Sequence, residues 1–267
     1  MTTPAPISFI PVVRRVVLRT NHAARLAAFY QQALGLVSQQ ESPQRPETSL
    51  LHPGSGEVLL TLIEDPTASP PVPGAPGLFH IAFLYPDIDD WRAAVRRVIG
   101  LQPGLHGAAD HGVSWAVYLA DPDGNGVELT WDKPASEWPW RGERLQMVSQ
   151  ALPLNRILLE RSGQQGGSGT FHIGHLHLQV ADLSVAGDFC RQFDLRVTQA
   201  NFPGAIFMAR GLYHHHLAVN TWRTRPVHDV SGNTLGLVGW EMSNRDGTIV
   251  FADQGDRTGK GPERNPL

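Results

Sequence analysis

The chain repeats itself, and that repeat limits what it can fold into more than any other feature. The run His80-Ile-Ala-Phe-Leu-Tyr-Pro-Asp87 lies over His175-Leu-His-Leu-Gln-Val-Ala-Asp182 without a gap, and Arg15 to His22 and Gly239 to Asp246 fit the frame more loosely. Each run alternates apolar and polar residues, as a strand with one buried face does. Amphipathic stretches follow the first three and predict helices over residues 23–34, 87–99 and 183–193, each leading into further strands. The unit is therefore strand–helix–strands, about fifty residues long. It occurs three times in full and a fourth time in truncated form, which makes the chain α+β. The 27 glycines and 21 prolines mark many turns between short elements.

The histidines are concentrated where the third unit lies: seven of the 12 fall between His172 and His228. On the first strand of that unit His175 and His177 share a polar face with Gln179, opposite Leu176, Leu178 and Val180. The run Tyr213 to Asn220 also reads as a strand, with His214, His216, Ala218 and Asn220 on one face and His215, Leu217 and Val219 on the other. Two imidazoles per polar face suit a metal ion, because a curling sheet can bring them to one centre. The net charge of −3 and the lack of a basic run offer no footprint for nucleic acid or an anionic membrane. No stretch has the length of a membrane span, and no leader is visible. The single cysteine, Cys190, lies among Phe189 and Phe193 as a small apolar filler; with no disulfide framework, a cytoplasmic location is expected.

The repeated frame, together with Asp121-Pro-Asp-Gly-Asn-Gly-Val-Glu-Leu129, resembles the glyoxalase/bleomycin-resistance/extradiol-dioxygenase superfamily, the vicinal oxygen chelates. Gly77-Leu-Phe-His80, Asp110-His-Gly-Val-Ser114 and the run from Tyr213 to Trp222 are similar to its bacterial, two-domain, catechol-2,3-dioxygenase-like branch. The resemblance implies tandem βαβββ units paired into curved-sheet cups. It divides the chain into an N-terminal domain (12–132), a linker (133–170) and a C-terminal domain (171–267) with an incomplete fourth unit. Metal ligands are then expected on the first and last strands of a unit, which points to His175 and His216. The fourth unit has Gly239 at its first-strand position; Glu241, two residues on and on the same face, is the expected replacement. Two imidazoles and a carboxylate suit Fe(II), with Zn, Ni or Mn as alternatives. Arg15 stands in a ligand position of the N-terminal cup beside His80 and Glu128, so that cup is expected to be degenerate. His177, His214 and Tyr213 are the expected acid–base residues. The implied activity is extradiol cleavage of a small catechol-like aromatic with O2; a glyoxalase-type lyase or isomerase and a non-enzymatic binder of an aromatic compound or antibiotic are the alternatives. A homodimer is expected to cover the open C-terminal cup.

Overall fold

The computed structural model describes residues 12–40, 47–101, 104–142, 144–160, 169–226 and 233–253. Residues 1–11, most of the glycine-rich stretch 163–169 and the segment after 253 lie outside the described residues. The first unit runs β1 (Val13–Thr20), α1 (Ala23–Leu34), β2 (Val37–Gln40), β3 (Glu47–Leu51) and β4 (Val58–Glu64). The second runs β5 (Gly77–Leu84), α2 (Ile88–Ile99), β6 (Gly107–Asp110), β7 (Ser114–Ala120) and β8 (Gly126–Asp132). The connection carries a small ribbon of β9 (Trp140–Arg141) and β10 (Arg144–Leu145), then β11 (Gln150–Ala151) and α3 (Leu154–Leu159). The third unit runs β12 (His172–Gln179), α4 (Ala186–Gln192), β13 (Arg196–Gln199), β14 (Ala205–Ala209) and β15 (Leu217–Asn220). Of the fourth, β16 (Gly236–Ser243) and β17 (Ile249–Asp253) are described.

Local chemistry sets the helices. In α1, Leu26, Tyr30, Ala33 and Leu34 form the buried stripe, and Gly35 ends the helix at φ 75°. The Asp87 carboxylate accepts the N–H groups of Asp89 and Asp90 and so caps α2. Trp91, Val95 and Val98 are buried, and the Trp91 indole donates to Leu129 O at 3.0 Å, which pins α2 to β8. The third expected helix is shorter than its apolar pattern. Residues Leu183–Val185 form a 3-10 turn and α4 begins only at Ala186.

Two sheets result. One holds six strands in the order β17-β16-β1-β4-β3-β2, and the other nine in the order β11-β6-β7-β8-β5-β12-β15-β14-β13. The larger one curls into a half-barrel. The units therefore do not pair as first with second and third with fourth. The second pairs with the third through antiparallel β5 and β12, and the first with the fourth through antiparallel β1 and β16. Both sheets thus cross the expected boundary at 132/171, and the connection contributes β11 to the edge of the larger one. The physical reason is that each unit's first strand bonds its own last strand on one side, as β5 bonds β8 and β1 bonds β4, leaving the other side open to any first strand. Alternation fixes which face is buried but not which edge partner is taken.

The sheets share one apolar core, with Val16, Leu18 and Leu60 from the smaller and Ile81, Leu129 and Leu176 from the larger. Burying each such side chain contributes about 1.5–3 kcal/mol. Alternation then turns the polar faces of β5, β8 and β12 to the concave side of the larger sheet. A second apolar cluster, including Val113, Trp138, Met147 and Phe207, closes over that side.

Candidate metal centre and aromatic pocket

At the β5–β12 seam His80 comes from β5, His175 from β12 and Glu128 from β8, all buried. Glu128 Oε2 lies 2.9 Å from His80 Nε2 and 3.3 Å from His175 Nε2, and the two nitrogens are 3.2 Å apart. Three ligand atoms each about 2.1 Å from a common divalent ion are about 3.0–3.4 Å from one another, depending on octahedral or tetrahedral geometry. The triangle therefore has the size of a metal's ligand face, and its donor set is two imidazoles and one carboxylate. Two imidazole nitrogens converging on one carboxylate oxygen also leave lone pairs facing each other, which an ion would satisfy.

The electrostatics agree with ligation. Burial pushes the Glu128 carboxyl up, but the His175 and His80 rings beside it outweigh that and hold it well below the usual carboxylate range. Burial also lowers His175 and keeps it neutral, the Glu128 charge only partly opposing it. An ionised carboxylate with neutral imidazole is the state in which these groups bind metal.

Above the triangle opens a cavity of about 270 Å³. Its walls are mainly aromatic and apolar: Phe79, Phe202, Phe207, Trp222, Met147 and Val148. Four polar rings reach into it. His177 and His215 are buried, and burial followed by the neighbouring histidines lowers both well below the ordinary value. Nε2 of His177 has no hydrogen-bond partner among the described residues. Tyr118 sits opposite Glu128 in the β7–β8 register, and its hydroxyl meets His111 Nε2 at 2.6 Å. Burial and then the Glu128 charge raise the Tyr118 hydroxyl well above its ordinary value, so it stays a donor at neutral pH.

The expected ligand set is brought together only at His175. Glu241 lies in the other sheet, where it pairs with Arg15 at 2.5 Å. His216 turns aside, packs on Tyr213 at 4.6 Å between ring centroids, and accepts the Arg210 N–H on Nδ1 at 3.2 Å. The register explains the difference. Glu128 pairs with Ala82, two residues past His80; the residue pairing with His177, two past His175, is Ala218 and not His216. Residues 213–216 precede β15 and are not strand, so period-two alternation does not extend back to them. For the same reason His215, and neither His214 nor Tyr213, lines the cavity. Tyr213 and His214 lie behind its wall, both on Asp132. His177 is the one expected acid–base residue that the cavity contains.

The smaller sheet carries the matching positions without a ligand set. Val17 pairs with Thr61 and Gly239, as Ala82 pairs with Glu128 and His175, so Arg15, Thr61 and Gly239 replace the triad. Arg15 donates to Thr61 Oγ1 at 3.4 Å as well as to Glu241. Arg15, expected in one cup with His80 and Glu128, thus lies in the smaller sheet, whereas His80 and Glu128 meet His175 in the larger. Tyr118 was absent from the expected residues although the hairpin turn 121–126 already places it opposite Glu128.

The profile of the Glyoxalase family, described as the Glyoxalase/Bleomycin resistance protein/Dioxygenase superfamily, matches residues 12–129. Over 224 residues the chain is 35% identical to Catechol-2,3-dioxygenase of Bacillus subtilis (strain 168), covering 80% of this chain and 75% of that one. It is 30% identical over 130 residues to Biphenyl-2,3-diol 1,2-dioxygenase 3 of Rhodococcus globerulus, covering 47% of this chain and 66% of that one. In fold it is similar to glyoxalase I from Zea mays, with a TM-score of 0.51 and 12% identity, covering 92% of this chain and 93% of that structure. The chain belongs to the glyoxalase/bleomycin-resistance/dioxygenase superfamily, in its catechol-2,3-dioxygenase-like branch.

Proposed function

We propose that the protein is a metal-dependent extradiol dioxygenase that cleaves a catechol-like aromatic with O2, and that His80, Glu128 and His175 hold the metal. The observation that carries the reading is the buried His–Glu–His triangle at the floor of an aromatic-walled cavity; the 35% identity to a catechol-2,3-dioxygenase supports it. Iron(II) is the metal that suits both this donor set and oxygen chemistry, and when bound it would supply Lewis acidity and electrons toward O2.

The chain's own residues do the rest. Phe79, Phe207 and Trp222 form apolar walls against which a flat ring can lie, fixing its plane and excluding water. Catechol must lose protons before its ring is attacked. His215, neutral and facing the cavity, is placed to accept one, in the place of His214. Tyr118 can donate its hydroxyl proton as a hydrogen bond at the same end of the cavity. His177, held against Phe79 and Trp222, presents an unpartnered nitrogen beside the ring.

The test is metal stoichiometry and O2 uptake with catechol in tag-free protein reconstituted with Fe(II). His80→Ala, Glu128→Ala and His175→Ala are each expected to lose most of the metal; His216→Ala and Glu241→Ala should keep it. His215→Ala is expected to keep metal and lose about 10²–10⁴-fold in rate. Wild-type protein that binds Zn or Ni and turns over thiol adducts would favour the lyase reading. Protein that binds no metal but retains aromatics would favour a binding function.

A further inference from the structure

Behind the cavity wall a short hydrogen-bonded chain of residues with no part in the catalytic reading leads to His215. Asp132, at the end of β8, accepts the Tyr213 hydroxyl on Oδ2 at 2.6 Å and faces His214 Nε2 with Oδ1 at 3.1 Å. The other nitrogen of His214, Nδ1, receives the backbone N–H of His215 at 2.9 Å and lies 2.8 Å from His215 Nδ1. A backbone N–H can only donate, so His214 Nδ1 is bare and its ring proton sits on Nε2, against the carboxylate. His215 Nδ1, facing that bare nitrogen, must then carry its own ring proton. Neutral His215 is left with Nε2 unprotonated, and no partner for Nε2 is found among the described residues. The ring lines the cavity.

The geometry points to Asp132 as a positioning residue. It sets the tautomer of His215 through His214 and so keeps a bare nitrogen available to the substrate. The inference rests on the reading of His215 as proton acceptor. A carboxylate suits this place because two donors, the Tyr213 hydroxyl and the His214 ring N–H, arrive together and it offers an acceptor oxygen to each. An asparagine has one oxygen. If that oxygen takes the Tyr213 hydroxyl, the amide N–H₂ faces His214 Nε2, the His214 proton moves to Nδ1, and the order of protons along the chain reverses.

The test reads tautomers directly. Full-length protein with 15N-labelled histidines, loaded with Zn(II) as a diamagnetic ion, should show His214 protonated at Nε2 and His215 protonated at Nδ1. In Asp132→Asn the two rings should lose that single pattern. Adding Tyr213→Phe frees the asparagine oxygen for His214, so the double variant should recover it. A merely structural role for Asp132 predicts further damage from the second change instead. In Fe(II)-loaded protein, Asp132→Asn should lower kcat about 10–100-fold with KM and metal content unchanged, and the double variant should regain part of the loss. Wild-type protein with the His215 proton on Nε2 overturns the inference, as does an Asp132→Asn variant with wild-type tautomers. If Asp132→Asn does not fold, Tyr213→Phe alone decides: it should leave both tautomers in place, and a change in either counts against Asp132. Wild-type protein with the expected tautomers but no turnover of catechol would remove the dioxygenase reading and leave the Asp132 assignment standing.

Discussion

At the scale of single residues, the cavity gathers more imidazole than a folded chain keeps without cost. His177 and His215 are buried, and burial together with the neighbouring rings holds both well below the ordinary 6.5. In the unfolded chain the same rings titrate near 6.5. As the pH falls below that value the unfolded chain takes up protons that the folded chain refuses, so stability declines with falling pH. Metal-free protein should therefore show a lower urea midpoint at about pH 5.5 than at about pH 7.5. A midpoint unchanged across that interval would show that these rings are not held neutral. The positions of these groups were legible in the sequence, His80 and His175 by the gapless repeat and Glu128 by its place after the turn at 121–126, but Arg15 led the cup of His80 and Glu128 to be expected as degenerate. Glu241 misled because a correct face assignment says nothing about which sheet the face belongs to. His216 misled because the non-strand segment 213–216 breaks the strand period just where the histidines cluster, which exchanges His215 for its neighbours.

At the scale of elements, the hairpin of β7 and β8 holds Tyr118 and Glu128 opposite each other, and Gly126 lets it seat against β5. A Cβ at Gly126 would fall 2.0 Å from Phe79 O and 3.0 Å from the His80 Cβ. No flexible side chain is available to give way, so β8 or β5 must shift. Gly126→Ala is expected to cost about 1–3 kcal/mol by overpacking, and to weaken metal binding because the displaced strand carries His80. Chemical denaturation gives the first effect and metal titration the second; a stable variant with reduced metal affinity would still locate the strain at His80, whereas two unchanged values would not. Strand type and helix position were readable from periodicity in most units. The weak strand β2 was not, since Val37, Ser38, Gln39 and Gln40 are all exposed and carry no apolar face. Strand partnership was unreadable for a different reason: β1, β5, β12 and β16 are variants of one sequence frame, and each could bond any other.

At the scale of the whole molecule, the smaller sheet ends in the edge strand β17. Among the described residues its β17 bonds only β16, and Ile249 and Phe251 on that strand are 57% and 47% exposed. An open edge with apolar side chains is a site where another strand or chain pairs. A homodimer covering it is expected, and light scattering at micromolar concentration checks it; a monomeric mass would leave the edge to be protected by the chain itself. The described helices include none long and apolar enough to cross a membrane.

The pairing of β1 with β16 has a consequence in time. Arg15 and Glu241, which meet across that pairing, are 226 residues apart in sequence. During synthesis the first two units emerge with β1 and β5 each lacking one hydrogen-bonding neighbour. The larger sheet gains β12 when the third unit appears, but the smaller cannot close until residue 243 has been made. The chain is thus committed to slow, non-local folding. The sheet that carries His80, Glu128 and His175 can assemble first, while the smaller sheet waits for the fourth unit.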